Sequence, residues 1–125
     1  MSSVQRPPAA AREARGFVQA NADLSGVAPV QLRDSALLSG LVIAAAGAAG
    51  LAAVGAPVVR QMPDDGVAAW MPLDRGHISV RSFPDRDLIL VDVIARSADE
   101  ARKVVDVFTR RLVPRDVQAA THLRG

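Results

Sequence analysis

Residues 66–97 decide the fold of this chain and read GVAAWMPLDRGHISVRSFPDRDLILVDVIARS. Three apolar runs suited to β-strands lie in this stretch, and they cover Val67–Leu73, His77–Phe83 and Leu88–Ala95. A turn-forming Asp-Arg-Gly follows the first run, and Pro-Asp-Arg-Asp follows the second. The unbroken Leu-Ile-Leu-Val of the third run indicates a central strand that is covered at least partly on both faces. The stretch therefore predicts a meander of three consecutive strands.

The segment before this meander adds a strand, a helix and another strand. Phe17–Leu24 has the composition of a strand, although its alternation is imperfect. Asp34 or Ser35 is a suitable N-cap for an Ala-rich helix, which we expect to end near Gly55 as its C-cap. Residues 57–62 form the next predicted strand, which the turn sequence Pro-Asp-Asp-Gly closes.

The segment after the meander adds a second helix and a last strand. Ser97 and Glu100 have the spacing of a capping box, which predicts a helix N-terminus at this point. Valines, Phe108 and Leu112 give the helix an apolar face, and paired arginines suit its C-terminal dipole. A final strand is predicted for Val117–Leu123.

The resulting order is one strand, a helix, four strands, a second helix and a last strand. Two helices that bracket a meander predict an α+β fold, a two-layer α/β sandwich with a mostly antiparallel sheet and both helices on one face. The first 15 residues have no sustained apolar period. We expect a disordered tail over residues 1–15 and a single domain over residues 16–125.

Composition narrows the classes of function. The chain has no cysteine, which excludes disulfides, thiolate catalysis and thiolate metal sites. Its two histidines, His77 and His122, are far apart in sequence and have no ligand spacing, so we predict no metal site. The net charge is only +2, the arginines are scattered and aromatic residues are scarce. A nucleic-acid partner is therefore not expected, since such sites use a clustered basic face with stacking aromatics.

One uncharged segment is long enough to be tested as a membrane span. Residues 36–59 contain no charged residue over 24 positions. Much of the segment is Ala and Gly, glycines interrupt it, and no aromatic belt flanks it. We therefore expect a buried helix and no membrane partner. The chain also begins without the features of a signal peptide, so a cytoplasmic location is expected.

The central segment resembles that of the bacterial S-adenosylmethionine decarboxylases. The likeness lies in Ile78, Val80, the Phe83-Pro84-Asp85 turn and the Val91-Asp92-Val93 strand, and it extends more weakly over residues 17–123. In that family the meander carries a Glu-Ser-His run, then a His, then an aromatic-Pro-acid turn and a strand that ends in Cys-Gly. The resemblance implies the two-layer fold and a homodimer in which a second copy covers the free sheet face. An unrelated α/β sandwich with similar turns is the alternative interpretation.

The resemblance also implies a chemistry that this chain lacks. In the family, the serine hydroxyl attacks the preceding carbonyl, and chain cleavage then leaves a pyruvoyl group that acts as an electron sink. Here the Glu-Ser-His place reads Arg75-Gly76-His77, so the hydroxyl is missing and we expect no pyruvoyl cofactor. Arg81 stands at the His place and Arg96 at the Cys place, and arginine is neither a base nor a useful acid near neutral pH. Further upstream, Ala68 replaces a serine and Met62 replaces a phenylalanine.

These departures favour a catalytically inactive member that acts by binding. It would serve as the regulatory subunit of an active decarboxylase paralogue, or as a sensor of a small nucleoside, amine or anion linked to polyamine (spermidine) synthesis. The candidate ligand-binding residues are Met62, Arg75, His77, Asp85 and Asp92, for which turn and sheet-edge roles are the alternative.

Three other hypotheses remain open at this point. Ser79 or Ser82 would be the processing site of an active decarboxylase cleaved at an unusual position. A purely structural interaction module is the second. The third is an anion site, which requires Arg75, Arg81 and Arg96 to converge.

Overall fold

The computed structural model describes residues 16–125, which form one sheet with helices packed on it. The strands are β1 (Phe17–Ser25), β2 (Val58–Gln61), β3 (Val67–Leu73), β4 (Gly76–Phe83), β5 (Leu88–Ala95) and β6 (Asp116–Arg124). The helices are α1 (Pro29–Leu32), α2 (Ser35–Ala48) and α3 (Ala98–Leu112), and a 3₁₀ turn spans Pro84–Arg86. The predicted disordered tail, residues 1–15, lies outside the described residues.

The six strands lie in the order β2-β3-β4-β5-β1-β6, and each neighbouring pair is antiparallel. Alternate side chains of β1, β3, β4 and β5 are buried, because every second residue of a strand faces the same side. The helices cover this buried side: α2 packs against α3 and β3, and α3 packs against β1 and β5. The predicted α+β sandwich is therefore confirmed. We call the opposite side of the sheet the open face.

The core between the layers consists mostly of small and branched aliphatic side chains. Ala20, Ala22 and Ala95 are buried in the sheet, and Ala45 and Ala101 are buried in the helices that pack on it. Because alanine occupies so little volume, it lets the backbones of the two layers approach closely. Phe108 of α3 is the largest fully buried side chain among the described residues. The expected buried helix is confirmed for one face of α2, which packs on this core, whereas Ile43 and Ala44 on its other face are exposed.

Helix α2 begins where the sequence predicts and ends earlier than it predicts. The Asp34 carboxylate caps the helix by accepting a hydrogen bond from the Leu37 N–H at 2.9 Å. The expected end near Gly55 is wrong, because Gly50 adopts a positive φ of 70° just after Ala49. The N–H of Leu51 then bonds to the Ala46 carbonyl, and the N–H of Gly50 bonds to the Gly47 carbonyl, which is a Schellman motif. No helix within residues 16–125 is long and apolar enough to cross a membrane.

Helix α3 follows its sequence signals closely. The Ser97 hydroxyl caps it by accepting a hydrogen bond from the Glu100 N–H at 3.2 Å. The Glu100 side chain turns back as the capping box predicts, but it accepts from the N–H of Arg96 rather than from that of Ser97. The helix ends at Val113, a β-branched residue with φ 50° and ψ 58°. This left-handed conformation is strained for valine.

Candidate functional site

A shallow groove of about 370 Å³ lies on the open face, where β2, β3, β4 and β5 run side by side. One row of paired residues crosses its floor: Trp70 of β3 lies opposite Ser79 of β4, which lies opposite Asp92 of β5. Arg81 and Leu90 form the next row. The period-2 alternation of the strands places these side chains on the open face, since their sequence neighbours fill the core.

Asp92 is the acidic group at the centre of this groove. It is half-buried, and partial burial raises the pKa of its carboxyl. The negative charge of Asp23, on the adjacent strand β1, raises that pKa further, whereas His77 lowers it. Asp92 forms no salt bridge with any side chain within residues 16–125. Asp92 therefore offers a carboxylate that a cationic ligand would stabilise.

An aromatic pair adjoins this carboxylate. The indole ring of Trp70 and the imidazole of His77 have their centroids 6.1 Å apart, with the ring planes tilted by 40°. Trp70 is 44% exposed on the open face, which is unusual for so large an apolar side chain. An exposed indole and a carboxylate on either side of Ser79 provide a stacking surface and a negative charge, the two features that recognise a protonated amine or a purine base.

Gly76 begins β4, and its backbone passes so close to β5 that a side chain has no room. An added Cβ would overlap the carbonyl oxygen of Ile94 and lie 2.8 Å from its carbonyl carbon. Both obstacles are main-chain atoms of a central strand, so they cannot rotate away. Gly66, at the start of β3, has a similar environment, because a Cβ there would overlap the carbonyl oxygen of Ser82. Glycine is therefore a packing requirement at both positions.

Arg81 is held by local contacts at one end of the groove. It forms a salt bridge with Asp64 at 3.0 Å and donates a hydrogen bond to the Ser82 carbonyl at 2.6 Å. Its guanidinium carbon lies 4.5 Å from the centroid of the Phe83 ring. Hydrogen bonding from Arg81, aided by the Gly66 N–H, lowers the pKa of Asp64. Arg81 thus joins the β2–β3 turn to β4.

Arg96 performs a similar task at the other end of the sheet. It forms a salt bridge with Glu100 of α3 at 2.8 Å, and this hydrogen bond raises the pKa of Arg96. Arg81 of β4 pairs with Leu90 of β5, and Arg96 lies six residues beyond Leu90 along the chain. At about 3.3 Å per residue, this separation is roughly 20 Å. The hypothesised convergence of Arg75, Arg81 and Arg96 into one anion site is therefore wrong, because Arg81 lies at one end of the β4–β5 pair and the other two lie at the opposite end.

The structure brings together some of the other predicted residues and separates the rest. Ala68, Arg81 and Asp92 line the groove, and His77 adjoins it through Trp70. Gly76 and Arg96 are not among the lining residues of the groove.

Met62, Arg75 and Asp85 lie in turns that flank the groove rather than in its lining. Met62 is half-buried in the β2–β3 turn, where its backbone pairs with Gly66. Arg75 is exposed in the β3–β4 turn, and Asp85 is exposed in the 3₁₀ turn between β4 and β5. No group of three or more His, Asp or Glu side chains within residues 16–125 has the arrangement of a metal site.

Ser79 and Ser82, the two serines that follow Gly76 on β4, occupy different environments. Ser82 is fully buried on the helix side, where its hydroxyl accepts a hydrogen bond from the Val67 N–H at 2.8 Å and donates one to the Leu32 carbonyl at 2.6 Å. Ser79 lies on the open face inside β4, between Trp70 and Asp92. The peptide bonds before both serines belong to a central strand that is paired on both sides.

Two groove features were missed by the sequence analysis. Trp70 lies between Ala69 and Met71, whose burial follows from the alternation of β3, so the pattern alone would have placed its ring on the open face. Asp23 approaches Asp92 only because β1 inserts between β5 and β6. A pairing between strands so distant in sequence leaves no local signal.

Comparisons with known proteins agree with this geometry. The chain matches the family model described as S-adenosylmethionine decarboxylase over residues 18–125. Among solved structures, it is similar to the adenosylmethionine decarboxylase from Aquifex aeolicus VF5, with a TM-score of 0.81. The sequence identity is 24%, and the match covers 88% of this chain and 91% of that chain. At this identity the likeness shows the fold. Comparison with curated proteins found no match.

Proposed function

The chain belongs to the S-adenosylmethionine decarboxylase family, and we propose that it is a member that does not process itself and acts by binding. The observation that carries this proposal is Gly76, at the place where the family resemblance puts the reactive serine. The acyl shift and the elimination that create a pyruvoyl group both begin at a side-chain oxygen, and glycine has none. This protein therefore works without that cofactor.

The surroundings of Gly76 support the same conclusion. A serine Cβ at this position would overlap the Ile94 carbonyl oxygen, so the β4–β5 pairing is built for a residue without a side chain. The missing hydroxyl is accompanied by a backbone arrangement that disfavours its introduction by a single substitution. A site that had lost one atom by recent mutation would still have room for that atom.

The two arginines at the family's other catalytic places have structural partners, although Arg81 also lines the groove. Arg81 is paired with Asp64, and Arg96 is paired with Glu100. A guanidinium keeps its proton at any workable pH, so neither residue substitutes for a proton-transferring His or Cys. Ala68 contributes only a methyl group to the groove floor.

The groove supports a binding function because an exposed indole and a carboxylate line it, an imidazole adjoins it, and the carboxylate forms no salt bridge within residues 16–125. We propose a ligand with a cationic amine, a purine base or both, which is the chemistry of S-adenosylmethionine and of polyamines. Trp70 would stack on the ligand, and Asp92 would hold its positive charge. Regulation of an active decarboxylase paralogue in polyamine synthesis follows if ligand occupancy changes the association of the two chains.

We also propose that a second copy covers the open face to form a homodimer. Val58 is 48% exposed and Trp70 is 44% exposed on this side, next to the half-buried Leu90. Apolar side chains that cluster on one sheet face favour association. Trp70→Lys would weaken this dimer by placing a charge in its interface, which sedimentation equilibrium would measure.

The test combines intact mass spectrometry with thermal melting. We expect freshly purified protein to retain the mass of the uncleaved chain, and S-adenosylmethionine or spermidine to raise its melting temperature by several degrees near saturation. Trp70→Ala and Asp92→Asn should reduce the ligand-induced shift. Asp99→Asn is the matched control, because that exposed carboxylate lies on α3 and pairs with Arg102 and Lys103.

Two results would contradict the proposal. Recovery of two fragments with a carbonyl-reactive amino end would show that the chain processes itself. A melting shift that survives in Trp70→Ala and Asp92→Asn would place ligand binding elsewhere in the protein.

A further inference from the structure

The two edges of the sheet differ in how well they are protected from pairing. β2, at one edge, has only four residues, lies between Pro57 and Pro63, and carries Arg60. Short length, flanking prolines and charge are the usual means of blunting an edge. β6, at the other edge, has nine residues and pairs one-to-one with β1 along its whole length. It contains neither proline nor glycine.

Both faces of β6 are also uncovered within residues 16–125. All of its side chains except that of Leu123 are exposed. α3 packs on β1 and β5, so a groove of about 350 Å³ separates this helix from β6. Val105, Val117 and Ala119 give the groove an apolar lining. A long, regular and partly apolar edge strand with charged residues only at its two ends is a template for adding another strand.

The sequence of β6, DVQAATHLR, is complementary to itself when read in the opposite direction. With Ala120 at the centre, antiparallel pairing of two copies places Asp116 of one copy opposite Arg124 of the other. Val117 then lies opposite Leu123 on the helix side, where the apolar groove is. Small residues meet at the centre, where Ala120 lies opposite its own copy and Ala119 lies opposite Thr121. In this register no charged residue lies opposite an apolar one.

We propose that β6 is an interaction surface for a second copy of this chain, which adds its own β6 antiparallel across a twofold axis at Ala120. The sheet then runs continuously through both copies. The Asp116–Arg124 pairs are formed twice by symmetry and set the register, since opposite charges across neighbouring strands attract and like charges repel. This interface is distinct from the open face, so it goes beyond the proposed function and does not depend on it.

Cysteine cross-linking tests the register directly, because the native chain has no cysteine. Residues opposite one another in antiparallel strands have Cα atoms about 4.5–5.5 Å apart, which suits a disulfide. We expect Ala120→Cys to form a disulfide-linked dimer on mild oxidation. Gln118→Cys is the matched control on the same exposed strand, since its two copies would lie roughly 13 Å apart. Equal cross-linking of both variants, or of neither, would overturn the proposal.

A charge exchange tests the energetics by sedimentation velocity over a range of concentrations. Asp116→Arg puts an arginine opposite Arg124 of the other copy at both ends of the strand pair. We therefore expect the dissociation constant of the dimer to rise about tenfold or more. Arg124→Asp should act alike, and the double variant should recover most of the association. Circular dichroism confirms that each variant is folded. Association that is unaffected by these changes but lost in Trp70→Lys would refute the β6 interface and leave the open-face dimer intact.

Discussion

Replacement of Gly76 by alanine is predicted to destabilise the protein, although alanine is normally the better residue in a strand. The added Cβ would overlap the Ile94 carbonyl oxygen and lie 2.8 Å from the adjacent carbon. Relief requires β4 and β5 to separate locally, at the centre of the sheet. Overpacking of this kind costs about 1–3 kcal/mol, which exceeds the roughly 0.5–1 kcal/mol that a Gly-to-Ala change gains elsewhere.

This cost translates into a melting temperature lowered by roughly 4–12 °C for a domain of about this size. Differential scanning calorimetry would measure the change. Gly40→Ala is the matched control, because Gly40 is exposed in α2 and an added Cβ there meets no atom within 4 Å. We expect the control to gain about 0.5–1 kcal/mol, so the two alanines should shift the melting temperature in opposite directions. Equal stability of Gly76→Ala and the wild type would refute the packing argument.

Gly76→Ser extends this test to chemistry. The serine introduces the missing hydroxyl but also the obstructed Cβ, so we expect loss of stability without chain cleavage. Intact mass spectrometry after prolonged incubation would detect cleavage as two fragments. Cleavage at position 76 in this variant would mean that the scaffold supports processing, and the proposed inactivity of the native chain would then rest on one atom.

Three further substitutions test other parts of the argument by thermal or chemical unfolding. Ser82→Ala should cost about 1–3 kcal/mol, because it leaves the buried N–H of Val67 without its acceptor; a neutral result would refute this role of the hydroxyl. Burial raises the folded-state pKa of Asp92. The stability that the protonated Asp92 carboxyl contributes is therefore fully present below the ordinary pKa of aspartate, and it is lost as the pH rises through the raised folded-state pKa. Asp92→Asn should therefore be the more stable form at neutral pH, with no such advantage in acid, and a pH-independent difference would contradict this. Val113→Gly should gain about 1 kcal/mol by relieving the positive φ, whereas Val30→Gly, at an exposed helical valine, should gain nothing.

Local signals were sufficient for most of the fold. The predicted limits of β3 and β5 agree with the structure residue for residue, because alternating or continuous apolar runs end there in strong turn sequences. The end of α2 could not be read in the same way. Its Ala- and Gly-rich sequence continues past Ala48 without a break, and the helix stops where Gly50 adopts a positive φ and Leu51 becomes buried. Burial of Leu51 depends on the assembled core, which a local pattern does not contain.

The candidate site depended more strongly on contacts between distant parts of the chain. The sequence alone shows that position 76 lacks a hydroxyl. The obstruction by Ile94, in contrast, arises from the pairing of β4 with β5. The anion site was wrong for a related reason. Arg81 pairs with Leu90, and Arg96 lies six residues beyond Leu90 on the same strand direction, so the two guanidinium groups are at opposite ends of the sheet. This separation depends on the strand register, which the sequence alone does not give. In contrast, the exposure of Trp70 followed from simple alternation and was available in the sequence.

Under the proposed function, the arginines at the family's catalytic places act as structural ties, and this argues against gaining activity one residue at a time. Arg81 links the β2–β3 turn to β4 through Asp64, and Arg96 links the end of β5 to α3 through Glu100. Reversion of Arg81 to histidine or of Arg96 to cysteine removes such a tie, while reversion of Gly76 forces two strands apart. Catalytic groups that act as a unit give little when only one is present, so each single reversion loses stability without gaining turnover. A multiple revertant would have to reopen the β4–β5 backbone before any of its side chains could take part in catalysis.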